Sequence, residues 1–258
     1  MTTTTVTLHG VTDTLKPEQS KYRPAFEAAV LAFRDAESIF GDPKFELREG
    51  WAKDETSDSG EVAYAKKMPD GPHMFTVQSF LNGQVDDIMK DIWTQPERLP
   101  NWNANIDFSH IVATLTDQID ILNYSNGDIL LVTGREFVVS RIYRKIGDGY
   151  IVAARSVDLN EVPEHKGKVR GHVFLCAARL RPHPSDSSKT ICDCVSHVDL
   201  KGNIPDMVVN QFAGKFALME ANENKKHFEC LKRQACCGTT SPPQNCPTHK
   251  LRPDQCIY

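Results

Sequence analysis

The chain has 258 residues, 40% apolar and 25% charged, the composition of an ordinary globular protein rather than a collagenous, disordered or membrane-spanning one. Thirty Lys+Arg against 34 Asp+Glu leave a net charge of −4, which builds in no general attraction to a polyanion, so nucleic acid is not an expected partner. The length admits one large domain or two small ones.

Residues 1–21 are polar and Thr-rich, and a flexible leader is expected there. The start lacks the basic-then-apolar run of a secretory signal, and no stretch approaches the ~20 apolar residues of a membrane span. A cytoplasmic protein is therefore expected, with its eight cysteines reduced. Residues 24–40 are rich in helix formers and place Phe26, Val30, Phe33 and Phe40 at helical spacing, which predicts an amphipathic helix. Short apolar/polar alternations over 45–53, 61–68 and 74–81, separated by Asp-, Ser-, Gly- and Pro-rich turns, predict antiparallel strands. Val85, Ile88, Met89, Ile92 and Trp93 then repeat at helical spacing, and Pro96 and Pro100 punctuate the stretch after them.

Strands resume at 106–115, 119–124, 136–146, 150–157, 169–180 and 190–200, with Gly147-Asp148-Gly149 as a tight hairpin turn. Pro205 opens a long helix to about Gln234, striped by Val208, Phe212, Phe216 and Met219. The tail, 235–258, is Pro-containing and reads as irregular. The absence of βαβ alternation argues for an α+β class, an antiparallel sheet packed by helices.

Nucleotide-loop, zincin and nucleophile-elbow motifs are absent, so no cofactor and no catalytic residue is assigned. The nine histidines are scattered singly, and His197 reads as a hydrogen-bonded core or edge residue. Cys176, Cys192 and Cys194 lie in apolar stretches and read as small core side chains. In the tail, Cys236, Cys237, Cys246, His249 and Cys256 match no common zinc spacing, so no metal is assigned; acylation of Cys236-Cys237 is a second idea. Arg141 stands in a strand with apolar neighbours on both faces. It is either solvent-facing or the polar anchor of an apolar cavity, where a charge must be paired.

Four segments are more specific. Trp102-Asn103-Ala104-Asn105, Thr133-Gly134-Arg135-Glu136-Phe137-Val138 followed by Arg141, Val162-Pro163-Glu164-His165-Lys166-Gly167-Lys168-Val169-Arg170-Gly171, and His197-Val198-Asp199-Leu200-Lys201-Gly202-Asn203-Ile204-Pro205 occur in an order that resembles the START family of lipid transfer domains. The resemblance implies a helix-grip fold, a curved antiparallel sheet of about nine strands closed by the C-terminal helix around a tunnel for one lipid. It assigns residues 22–234 to a single lipid-binding domain.

The segments look most like those of the cholesterol-binding branch, in which an interior Arg pairs with a Glu near the sterol hydroxyl. Arg141 matches the Arg, whereas the Glu position falls at Leu122. Asp120, two residues away on the same strand face, is the available substitute. If Asp120 does not serve, a carotenoid, another isoprenoid or a phospholipid becomes the alternative ligand. Val132 and Val152 are further expected tunnel residues, the loop 126–133 is the expected mouth, and Val208, Phe212, Phe216 and Met219 are the expected lid face. The implied function is that of a monomeric carrier that touches membranes transiently and moves one sterol-like lipid between them without chemistry. A lipid-sensing regulatory module and a helix-grip enzyme are the rivals.

Overall fold

The structure, a computed structural model, describes residues 4–128, 132–204 and 206–237. The elements are β1 (Thr4–Leu8), β2 (Val11–Leu15), a 3-10 segment (Pro17–Tyr22), α1 (Arg23–Gly41), α2 (Pro43–Glu46), β3 (Ala52–Thr56), β4 (Val62–Lys66), β5 (Met74–Asn82) and α3 (Val85–Thr94). After a 3-10 turn (Pro96–Arg98) come α4 (Leu99–Trp102), β6 (Ile106–Thr116), β7 (Ile119–Asn126), β8 (Arg135–Ile146), β9 (Gly149–Ser156), β10 (Val169–Arg170), β11 (His172–His183), β12 (Asp186–Asp199) and α5 (Asp206–Cys237).

The main sheet runs β3-β4-β5-β12-β11-β9-β8-β7-β6, antiparallel throughout, and β10 adds a short parallel pairing to β8. The fold is an α+β helix-grip. Period-two alternation sends successive side chains to opposite faces of this sheet, and the two faces do different work. On one, Ala25, Ala29, Ala32 and Ala36 let α1 approach closely, so that Phe26, Val30, Phe33 and Phe40 pack among Ile119, Ile121, Val138, Ile142, Ile151, Ala153 and Val195. Each phenylalanine buried there contributes about 1.5–3 kcal/mol. On the other face, α3 and α5 pack at the rims: Val85, Ile88 and Met89 with Leu81, Leu180 and Phe228, and Leu218 and Ala221 with Ala63 and Val77.

Two sequence expectations are corrected. Residues 4–22 are not a flexible leader: β1 and β2 form a hairpin around His9-Gly10, both at positive φ, as a two-residue hairpin loop requires. Threonine content concealed an alternation in which Val6, Leu8 and Leu15 turn inward. From the same strand Asp13 reaches the guanidinium of Arg144, which is 0% exposed, and accepts a hydrogen bond from Thr116 Oγ1 at 2.5 Å.

Nor do residues 45–53 form a strand. Asp42 caps α2 by accepting from Lys44 N at 3.0 Å, Pro43 suits its first turn, and Phe45 is buried edge-on against Phe40 and Trp51. The first strand of the sheet starts only at Ala52, after Arg48 and Gly50 have turned the chain. The predicted 169–180 strand divides at Gly171 into β10 and β11. Helix α5 extends through Cys237, beyond the predicted start of the irregular tail; Cys246, His249 and Cys256 lie outside the described residues. Cys230 is disulfide-bonded, although compartment alone predicted a thiol there.

Candidate functional site

The concave face of the sheet is built from two rows of register partners. One runs Asp120, Arg141, Ala154, Cys176, Ser196 and Phe75 across β7, β8, β9, β11, β12 and β5; the next runs Tyr143, Val152, Ala178, Cys194 and Val77. At the centre of both rows the side chains are small. Ala154, Cys176, Ala178, Cys194 and Ser196 all keep accessible surface, while their neighbours Ala153, Ala177, Asp193 and Val195 on the other face are buried. Tyr124 and Cys176 join accessible surface to deep burial: burial raises the Tyr124 phenol well above its ordinary pKa and the Cys176 thiol up to about 12. Surface that is accessible yet enclosed by protein is the wall of an interior hollow.

One end of the hollow is polar. Arg141 donates from Nε to Asp120 Oδ1 at 2.8 Å and from Nη2 to Asp120 Oδ2 at 2.5 Å, a two-point pair with both residues buried. Trp93, brought in by α3, lies 4.6 Å from the guanidinium and packs edge-on against Tyr143. Asp120 is the carboxylate paired with Arg141, and Leu122 packs with Phe137, Val139 and Val173 on the same wall. Val152 sits in the second row and keeps accessible surface; Val132 is half-buried. Residues 129–131 of the expected mouth lie outside the described residues.

Helix α5 forms the opposite wall. A Cβ at Gly214 would collide with the Asp54 carboxyl, so the helix comes close to β3–β5 there, and its sheet-facing side continues through Leu218, Ala221 and Phe228. This offsets the lid face from the one expected: Phe212 is 38% and Met219 44% exposed, and Val208 and Phe216 are half-buried. The close approach at Gly214 rotates the buried stripe onto Leu218, Ala221 and Phe228.

Sequence reasoning missed Glu220. Its Oε2 accepts from Asn103 Nδ2 at 2.9 Å and its Oε1 from Asn105 Nδ2 at 2.7 Å, which ties α5 to the segment leading into β6. Burial raises the Glu220 carboxyl pKa, opposed by the two asparagine bonds. Trp102 stacks on His227 with centroids 4.1 Å apart, and His227 Nε2 lies 2.8 Å from Asp91 Oδ2. Lys225 makes a further bond from α5 to Glu61.

Residues 45–235 match the START domain family. The chain belongs to that family. It is 44% identical over 228 residues to steroidogenic acute regulatory-like protein 1 of Caenorhabditis elegans, covering 88% of both chains. It is 24% identical over 184 residues to human mitochondrial steroidogenic acute regulatory protein, covering 70% of this chain and 65% of that one. Among solved structures it resembles human STARD10 (TM-score 0.67, 19% identity, 80% of this chain and 84% of that one). Human StAR-related lipid transfer protein 5 is similar too (TM-score 0.64, 20% identity, 78% and 99%). At these identities the solved structures speak to the fold alone. Among the described residues, no helix is long and apolar enough to cross a membrane.

Arg141 and Phe137 aside, the motif residues with resolved side-chain bonds are clasps at the rim of the hollow. Asn103 and Asn105 hold the lid helix. Arg135 donates to the Leu200 carbonyl at 2.9 Å and the Lys201 carbonyl at 3.1 Å, fastening the end of β12 to the start of β8. Burial disfavours the Glu136 carboxylate, but bonds from His165 N at 3.0 Å and Asn123 Nδ2 at 2.9 Å, with the His165 ring and Arg170 nearby, outweigh it and lower its pKa. Lys168 bonds Asp107 and the Asn126 carbonyl. These bonds fix the shape of the cup.

Proposed function

We propose that this START domain carries one neutral, sterol-like lipid in the hollow between the sheet and α5 and moves it between membranes, as a monomer in the cytoplasm. The observation that carries this reading is an apolar hollow ending in one charge-neutral, two-point Arg141–Asp120 pair. A rigid hydrocarbon loses little conformational entropy on burial, and a single hydroxyl can both donate to Asp120 and accept from Arg141. A phosphate would need an unneutralised cation, which Asp120 removes; this favours a hydroxylated sterol or carotenoid over a phospholipid. The names of the relatives, which concern steroid production, support the same class. The carrying unit takes in residues 22–234 together with the β1–β2 hairpin, since α1 and Leu15 close the outer face of the cup. Absence of turnover is inferred from the two carboxylates being held apart, Asp120 by Arg141 and Glu220 by Asn103 and Asn105, so that they form no acid–base relay.

Native mass spectrometry of protein purified from a eukaryotic host, followed by a cholesterol titration, tests the reading. One bound sterol or pigment per chain supports it. A copurifying phospholipid, or an empty protein that ignores cholesterol and carotenoids, overturns it.

A further inference from the structure

Glu220 is costly for a latch. Two asparagine amides need only a neutral acceptor, yet α5 presents them with a carboxylate, and among the described residues the charges bearing on it include Glu223, which repels, and no cation. Each oxygen receives one of these bonds, whereas a carboxylate accepts about four, so acceptor capacity remains. That capacity faces inward. Glu220 keeps accessible surface although it is enclosed, and its charge bears on both Tyr124 and Cys176, the two enclosed residues of the opposite wall.

Position adds a length. Asn105 precedes Ile106, the register partner of Asn126 at the end of β7 near Tyr124. The Arg141–Asp120 pair lies toward the other end of β7, and at ~3.4 Å per residue Asp120 and Tyr124 are about 14 Å apart along the strand. The hollow therefore has a polar group near each end and small apolar side chains between them.

We propose that Glu220 is a second hydroxyl-binding group, so that the domain prefers a lipid with a hydroxyl at each end of a rigid apolar body over one with a single hydroxyl. The Arg141–Asp120 pair takes one hydroxyl, and the Glu220 carboxylate accepts the proton of the other while Asn103 and Asn105 hold it in place. The inference rests on the sterol-like reading above and specifies the ligand within that class.

Direct titration of the full chain with cholesterol, which has one hydroxyl, and with a side-chain hydroxycholesterol, which has a second at its far end, tests it. The second hydroxyl is expected to tighten binding about tenfold or more, the usual strength of a hydrogen bond to a charged group. In Glu220→Gln that advantage shrinks toward unity, because the hydroxycholesterol loses more affinity than cholesterol does. Asn105→Ala, which loosens the latch but keeps the carboxylate, weakens both lipids by a similar factor and preserves their ratio. Equal affinities in the wild-type chain, or preference for cholesterol, overturn the proposal without reference to any variant. So does a Glu220→Gln chain that weakens both lipids equally, since Glu220 is then a latch only. Binding of neither sterol, with retention of a phospholipid, instead defeats the sterol-like reading on which the proposal stands.

Discussion

Replacing Arg141 by Leu strips the two-point cationic partner from Asp120, which is 3% exposed. Breaking a buried pair from one side costs about 3–5 kcal/mol, because the surviving charge stays desolvated. Loss of the guanidinium over Trp93 adds ~0.5–2 kcal/mol. At about 2–4 °C per kcal/mol for a chain of this size, the ligand-free melting temperature should fall by roughly 10–20 °C. Removing both charges, in Arg141→Leu/Asp120→Leu, leaves nothing unpaired and should recover most of that loss. Urea unfolding followed by circular dichroism on the wild type, both single variants and the double variant gives the coupling energy directly. Single variants within about 1 kcal/mol of wild type, additive in the double, would mean a well-hydrated pair and refute the argument that it is a desolvated anchor.

Three further outcomes are expected. Ala154→Leu places apolar volume in the hollow, so unfolding free energy should hold or rise while sterol binding is lost; a penalty of about 1–3 kcal/mol, normal for overpacking, would mean the space is already filled. Cys176, with its thiol raised to about 12, should resist iodoacetamide at pH 8 in the folded chain and react on unfolding, which peptide mass spectrometry resolves. Stability against pH should divide at the ordinary carboxyl value of 4.5. Burial opposes ionisation of Glu61, but Lys225, Ser57 and Ser59 hold it at about 2, so its contribution is present above 4.5 and lost as pH falls toward 2; Glu61→Gln should flatten that acid limb. Glu220 is raised instead, so ionising it costs stability as pH climbs above 4.5, and Glu220→Gln should flatten the opposite limb in denaturant melts between pH 4 and 7.

Much of the fold was legible because its signals are local. Alternation and helical spacing located α1, α3, α5 and most strands, and the Gly147-Asp148 turn fixed the register of β8 against β9. Asp120 could be matched to Arg141 because residues two apart share a strand face. Composition misled at residues 4–22, where threonine-rich strands looked like a leader until the buried Asp13–Arg144 pair, 131 residues apart in sequence, tied them down. Glu220 was illegible for the same reason: its partners stand 117 and 115 residues away. The signal that would have found it is a lone carboxylate inside the apolar run Phe216-Ala217-Leu218-Met219-Glu220-Ala221. Likewise Cys176 and Cys194 were read as ordinary core, though alanine, cysteine and serine at alternate positions along β9, β11 and β12 mark a face that does not fill itself.

That alternation has a mutational consequence. Along β9, Ile151 and Ala153 hold α1 to the sheet, and Val152 and Ala154 border the guest. Two inheritances are interleaved in one strand, and a mutation meets one or the other according to whether its position is odd or even. A substitution at an even position of that strand alters the wall of the hollow and leaves the packing of α1 on Ile151 and Ala153 in place.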